Sequence, residues 1–118
     1  MRTFLQKLHF ALSGIGFLVR NERHFQYHII SAFSVLILGV FFSLTQWEWL
    51  FILSALFLVL LTEAFNTTIE KICDEITLER KESIKRIKDI SAGAVLLAAT
   101  YSVIVGLIIY LPKVTTLF

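Results

Sequence analysis

The sequence predicts an all-α membrane protein, with three transmembrane helices preceded by an amphipathic surface helix. Three observations point there. Of the 118 residues, 57% are hydrophobic and 17% charged, against roughly 45–50% and about 25% in ordinary globular chains. Mean hydropathy is +0.78, and the apolar residues fall into three runs. The basic residues lie almost wholly on one side of those runs. Such an apolar excess is more than the core of one small domain can bury, so the bilayer is its natural solvent. Residues 1–118 read as a single domain, with no internal repeat, low-complexity tract or linker. Cys73 is the only cysteine, which excludes a disulfide scaffold. A lone proline and five scattered glycines leave little room for a turn-rich β fold, and the hydropathy excludes a disordered chain. The net charge of +2 gives no reason to expect nucleic acid as a partner.

A helix needs about 20 apolar residues to cross a hydrocarbon core of roughly 30 Å. Ile29–Leu44 is free of charge and becomes long enough if it begins at Phe25 and includes His28, giving a span of about 25–44. Leu50–Leu61 is short, but Trp47, Trp49 and the Thr62–Phe65 segment extend it to about 48–65. Ile90–Leu111 spans without help.

Orientation follows from lysine and arginine. Arg2, Lys7, Arg20 and Arg23 precede the first span, and Lys71, Arg80, Lys81, Lys85, Arg86 and Lys88 lie between the second and third. Only Lys113 falls on the other side. The positive-inside rule therefore makes the N-terminus and the second loop cytoplasmic, and Trp47 and Trp49 suit the outer interface.

Residues 3–20 are neither a span nor a signal peptide, because no long apolar stretch or small-residue cleavage site follows Arg2. On a helix, Phe4, Leu5, Leu8, Leu12, Ile15 and Val19 share one face, and Gln6, His9, Ser13 and Arg20 the opposite one. Such a helix is expected to lie on the inner membrane surface.

Polar residues at the membrane boundary carry the chemistry. A carboxylate within a span costs about 2.5–3.5 kcal/mol on insertion scales. At 100° per residue, Glu63, Asn66, Glu70 and Asp74 fall within about 80° of one another. One helix face therefore bears three acids and an amide. A solvated helix end accounts for Asp74, but fits Glu63 poorly, two residues past the apolar run. A cation shared with phosphate oxygens would relieve the repulsion between Glu63 and Glu70, and Mg²⁺ typically takes one or two carboxylates plus phosphate. A second cluster, Arg86-Ile-Lys88-Asp89-Ile-Ser91, opens the third span. Snorkelling would explain Lys88 and a helix N-cap Asp89. The third cluster, Asn21-Glu22-Arg23-His24, precedes the first span. All three share the cytoplasmic boundary.

Absent motifs narrow the field. There is no phosphate-binding G-x-x-x-x-G-K-[ST] loop, no dinucleotide fingerprint and no protein-kinase signature. Cys73 has no partner at metal spacing, and His24 with His28 lacks a third zinc ligand. A small transporter or channel subunit is the rival reading. Transport sites usually sit near the bilayer midplane, whereas these acids gather at one edge.

At these residues the chain resembles the prokaryotic diacylglycerol kinase family, which includes undecaprenol kinases. Glu63-Ala-Phe-Asn66-Thr-Thr-Ile-Glu70-Lys-Ile-Cys-Asp74 is similar to that family's E-x-x-N-[ST]-[AT]-I-E-x-x-x-D signature. The likeness extends to Lys88-Asp89 with Ala92-Gly93-Ala94-Val95, to Asn21-Glu22 and to Gly14. The resemblance implies a homotrimeric kinase of the bacterial inner membrane that uses ATP and Mg²⁺ to phosphorylate a lipid alcohol, undecaprenol or diacylglycerol. It implies Glu63 as general base with Asn66 beside the reacting hydroxyl, and Glu22 and Glu70 as metal ligands on the ATP phosphates. Glu79, Arg80, Lys81, Lys88 and Asp89 would contact the nucleotide. Two features depart from the diacylglycerol kinase branch. His28 stands where that branch has an acid, and Phe10 and Ala11 replace a tyrosine and a serine. The pattern Asn21-Glu22-x-x-Phe25-x-x-His28 looks more like the undecaprenol kinase branch.

Overall fold

The computed structural model describes residues 1–118 and is helical throughout, in the order α1 (Phe4–Asn21), α2 (Arg23–Phe41), α3 (Gln46–Ile76) and α4 (Glu82–Thr115). The last three are long and apolar enough to cross a membrane. Only 15 of the 118 residues are buried within the chain. Large side chains such as Ile30, Phe33, Ile37, Leu97 and Ile108 stand exposed along the spans, where lipid or other protein replaces water.

The helix ends are locally encoded. Thr3 opens α1 with a capping box, accepting from the Gln6 N–H while Gln6 Oε1 accepts from the Thr3 N–H. Thr45 and Glu48 do the same for α3. Between α1 and α2 the chain turns on a single residue, Glu22, held extended at φ −105° and ψ 109°. Side-chain amides satisfy two carbonyls at that corner, Asn21 Nδ2 donating to Phe17 and Gln26 Nε2 to Val19.

The first span ends three residues sooner than its apolar run. Ser43 takes a left-handed φ of 51°, while the Ser43 N–H donates to the Val40 carbonyl and the Leu44 N–H to that of Gly39. This is the double closure of a Schellman motif, and it folds Leu44 back into the core. Gly39 is what lets the chain close there. A Cβ on Gly39 would stand 2.6 Å from the Trp49 ring and 3.0 Å from Leu44 Cδ1. Gly39→Ala is therefore expected to destabilise the protein by about 1–3 kcal/mol, read as a lower thermal midpoint in detergent. An unchanged midpoint would mean that Trp49 swings away freely.

The other helices outrun their spans. At about 1.5 Å per residue, the 31 residues of α3 and 34 of α4 reach roughly 46 and 51 Å, well beyond the hydrocarbon core. Their surplus carries the charged clusters. Helix α4 already begins at Glu82, so Asp89 lies inside the helix and is no N-cap; Lys81 holds that position without a side-chain bond. Helices α3 and α4 form an antiparallel hairpin around the five residues Thr77–Lys81. Polar contacts recur along it: Glu48–Lys113 at 3.2 Å, Ser54–Tyr101 at 3.2 Å, Asn66–Ser91 at 2.8 Å and Asp74–Lys88 at 2.8 Å. Ile52, Ala55, Val105 and Ile109 form its apolar core with Leu44. Helix α2 joins through Tyr110, whose hydroxyl donates to the Val35 carbonyl at 2.9 Å.

Helix α1 occupies residues close to those expected, but buries none of them. Its apolar residues Phe4, Leu8 and Leu12 and its polar residues Gln6, His9 and Ser13 are all exposed. Within the chain, only Gly16 and Leu18 of α1 are partly covered.

Candidate active site

The acidic face of α3 is graded in depth. Glu63 and Asn66 are buried, at 6% and 8% exposure, while Glu70 and Asp74 are exposed. A helix that dips its first two polar residues into packed surroundings must supply partners for them. Two come from other helices. His28 on α2 brings Nε2 to 3.5 Å from Glu63 Oε2. Ser91 on α4 donates to Asn66 Oδ1 at 2.8 Å, and Asn66 Nδ2 donates to Glu70 Oε1 at 3.2 Å. The amide thus links buried Ser91 to the exposed carboxylate of Glu70. No buried side-chain nitrogen or oxygen is left without a partner.

Glu22, on the single-residue corner between α1 and α2, faces α3 as well. Its Oε1 pairs at 3.1 Å with Nζ of Lys71, the residue after Glu70. The same ammonium lies 5.2 Å from the centre of the Phe17 ring, fastening α1 to α3. Glu22, Glu63 and Glu70 each have a protein partner, and no group of three or more His, Cys, Asp or Glu converges to hold a metal. Glu22 and Glu70, on neighbouring elements, could supply carboxylate oxygens to Mg²⁺ if phosphate oxygens completed the shell.

Beyond Asp74 the hairpin turn opens a polar cleft of about 350 Å³. Glu79, Arg80, Lys81, Lys88 and Asp89 all line it, together with Asp74 and Lys85. Lys88 does not simply snorkel. It donates to Asp74 at 2.8 Å, and that bond raises its ammonium above the ordinary lysine range. Its positive charge is therefore retained across neutral pH and lost only in strongly alkaline solution. Asp89 accepts from Lys85 at 2.7 Å. A wider groove of about 710 Å³ runs between α1 and α3, lined by Ala11, Gly14, Phe17, Thr67 and Lys71.

The polar residues therefore run from a buried carboxylate, past two exposed ones, to a basic cleft. This continuity invites comparison with known proteins. The prokaryotic diacylglycerol kinase family matches residues 9–110. The chain belongs to that family. It is accordingly a lipid kinase, and the transporter or channel reading is not favoured. An undecaprenol kinase of Bacillus subtilis is 38% identical over 96% of this chain and 92% of its own length. A Synechocystis diacylglycerol kinase is 29% identical over 96% of this chain and 65% of its own. One from Haemophilus influenzae is 29% identical over 75% of each.

The family's matched stretch takes in every candidate residue from Glu22 to Asp89. Three participants were not assigned roles from the motif: His28, Lys71 and Ser91. A lone histidine inside an otherwise apolar span is a legible signal for the first. Nothing in the one-dimensional pattern marks Lys71 or Ser91, because their partners lie on other helices.

Proposed function

We propose that this kinase transfers the γ-phosphate of ATP to the primary hydroxyl of a membrane lipid at the cytoplasmic interface of a bacterial inner membrane. The observation that carries the reading is the row of polar residues on one face of α3, from buried Glu63 through Asn66 and Glu70 to Asp74 at the Lys88 cleft. It lets a lipid hydroxyl at membrane depth and a nucleotide from the aqueous side reach one another. Phosphoryl transfer is mainly a matter of positioning and charge stabilisation. Glu63 is the general base: His28 engages Oε2, leaving Oε1 to receive the hydroxyl proton. Asn66, held by Ser91 and Glu70, orients that hydroxyl. Arg80, Lys81 and Lys88 offer positive charge to the phosphates, with Glu79 and Asp89 beside them on the nucleotide. Glu22 and Glu70 hold Mg²⁺, which, when bound, neutralises charge on the phosphates.

Undecaprenol is the favoured acceptor and diacylglycerol the second. The higher identity to the undecaprenol kinase and the presence of His28 both support that order. Helix α1 lies on the inner leaflet, with Phe4, Leu5, Leu8, Leu12, Ile15 and Val19 towards lipid. Three helices do not enclose two substrates, and the extensive apolar surface left on α2 and α4 is consistent with a homotrimer whose subunits complete the site. Residues 1–118 act as one kinase domain.

The reading predicts ADP release by purified protein only when a lipid alcohol is supplied. ADP release without dependence on lipid would contradict it. It also predicts topology. In a Cys73→Ser background, a cysteine at Gln46 should react with impermeant reagent in intact cells, and one at Ser83 only after permeabilisation. Labelling of Ser83 in intact cells would place the basic cleft outside and remove its access to ATP.

A further inference from the structure

A buried base that accepts a proton must lose it before the next turnover. Glu63 has little surface through which to do so, since 7% of its side chain is exposed against 29% for His28. His28 Nε2 stands 3.5 Å from Glu63 Oε2, on the more accessible side of the pair. Imidazole also takes up and releases protons near neutral pH, which no carboxylate of ordinary pKa does. We propose that His28 is a positioning residue that acts through Glu63, carrying away the proton that Glu63 collects from the substrate hydroxyl.

This role rests on Glu63 being the base. The lipid O–H bond breaks as its oxygen bonds to the γ-phosphorus, and the proton passes to Glu63. The bond from the γ-phosphorus to the β–γ bridging oxygen breaks, its electron pair leaving with ADP. The carboxyl group then turns its protonated oxygen towards His28; neutral His28, protonated on Nδ1, takes that proton on Nε2, and the imidazolium releases a proton to water. Glu63 returns to its ionised state.

Glu63 is the one ionisable group paired with His28, while His24 lies one turn earlier on the same helix. From α3 the ionisable group facing it is Glu63. From α4, Ala99, Ser102 and Val103 line the shared groove, and on α2 its polar neighbour there is Ser31. None of these four titrates in the working range. An ion pair made for stability alone would be an expensive choice at this depth, so a proton-handling role accounts better for a histidine here.

The test compares H28A and H28Q with wild type in mixed micelles containing undecaprenol and MgATP. Both variants should lose kcat by about 10-fold, short of the roughly 10²–10⁴-fold attributable to a base, with both KM values within about twofold. The pH–rate profile should lose the limb that His28 contributes. Added imidazole should restore much of kcat in H28A, where the side chain leaves space, but not in H28Q, where the amide fills it. Unchanged kcat in both folded variants would overturn the proposal. So would a loss that imidazole leaves untouched while the pH profile stays parallel to wild type. E63Q, measured alongside, separates the two readings. Near-wild-type turnover by E63Q overturns the base assignment itself, whereas inactive E63Q with unimpaired H28A overturns only the role of His28.

Discussion

Glu63→Gln should lower kcat by roughly 10²–10⁴-fold while leaving the protein folded and inserted. The substitution preserves shape and hydrogen-bonding capacity and removes only the ability to accept a proton. It also removes a charge from a buried position at 6% exposure, so stability should be unchanged or higher. Apparent affinities for ATP and lipid should barely move, because Glu22, Glu70 and Lys88 are untouched. A loss confined to kcat marks an interaction made in the transition state. A structural acid would instead lower the melting temperature when replaced, and a metal ligand would raise the Mg²⁺ requirement. If folded Glu63→Gln turned over normally, Asp89 would be the first alternative base.

The second large effect is expected from Glu70→Gln and Glu22→Gln. Each should shift the Mg²⁺ dependence of activity to higher concentration, on the order of 10-fold, since a carboxylate ligand is lost from a site that uses only one or two. Folding should survive both changes. In Glu70→Gln the new amide oxygen can still accept from Asn66 Nδ2, which now bonds Glu70 at 3.2 Å. In Glu22→Gln the lost pair with Lys71 is partly exposed, and such pairs contribute about 0–1 kcal/mol. Mg²⁺ titrations that overlay wild type in both variants would remove these two residues from the metal.

Much of this architecture can be read from the sequence, for identifiable reasons. The three membrane helices follow from apolar runs whose length the bilayer imposes. The acidic face of α3 follows from helical period alone, and its four residues do form a graded line. Helix ends were less legible. Ser43 closes α2 ahead of the apolar limit because a left-handed serine and a buried Leu44 cooperate with Gly39 and Trp49, a tertiary arrangement. Glu82 starts α4 two turns before its apolar segment, since charged residues continue a helix as readily as apolar ones once it leaves the membrane. The pairings His28–Glu63, Ser91–Asn66 and Lys71–Glu22 depend on how helices rotate against one another, which no periodicity within one helix encodes. The motif marks the acids, and the packing shows what each acid touches.

The central claim, phosphate transfer to a lipid alcohol, is tested most directly by following labelled γ-phosphate. Purified protein is given γ-labelled ATP, Mg²⁺, and undecaprenol and diacylglycerol side by side. The expected result is label extracted with lipid, chiefly as undecaprenyl phosphate, and none with Glu63→Gln. Label chiefly in phosphatidic acid would reverse the order of the two acceptors. Label in neither lipid, with well-folded protein in lipid-like micelles, would contradict the proposed reaction.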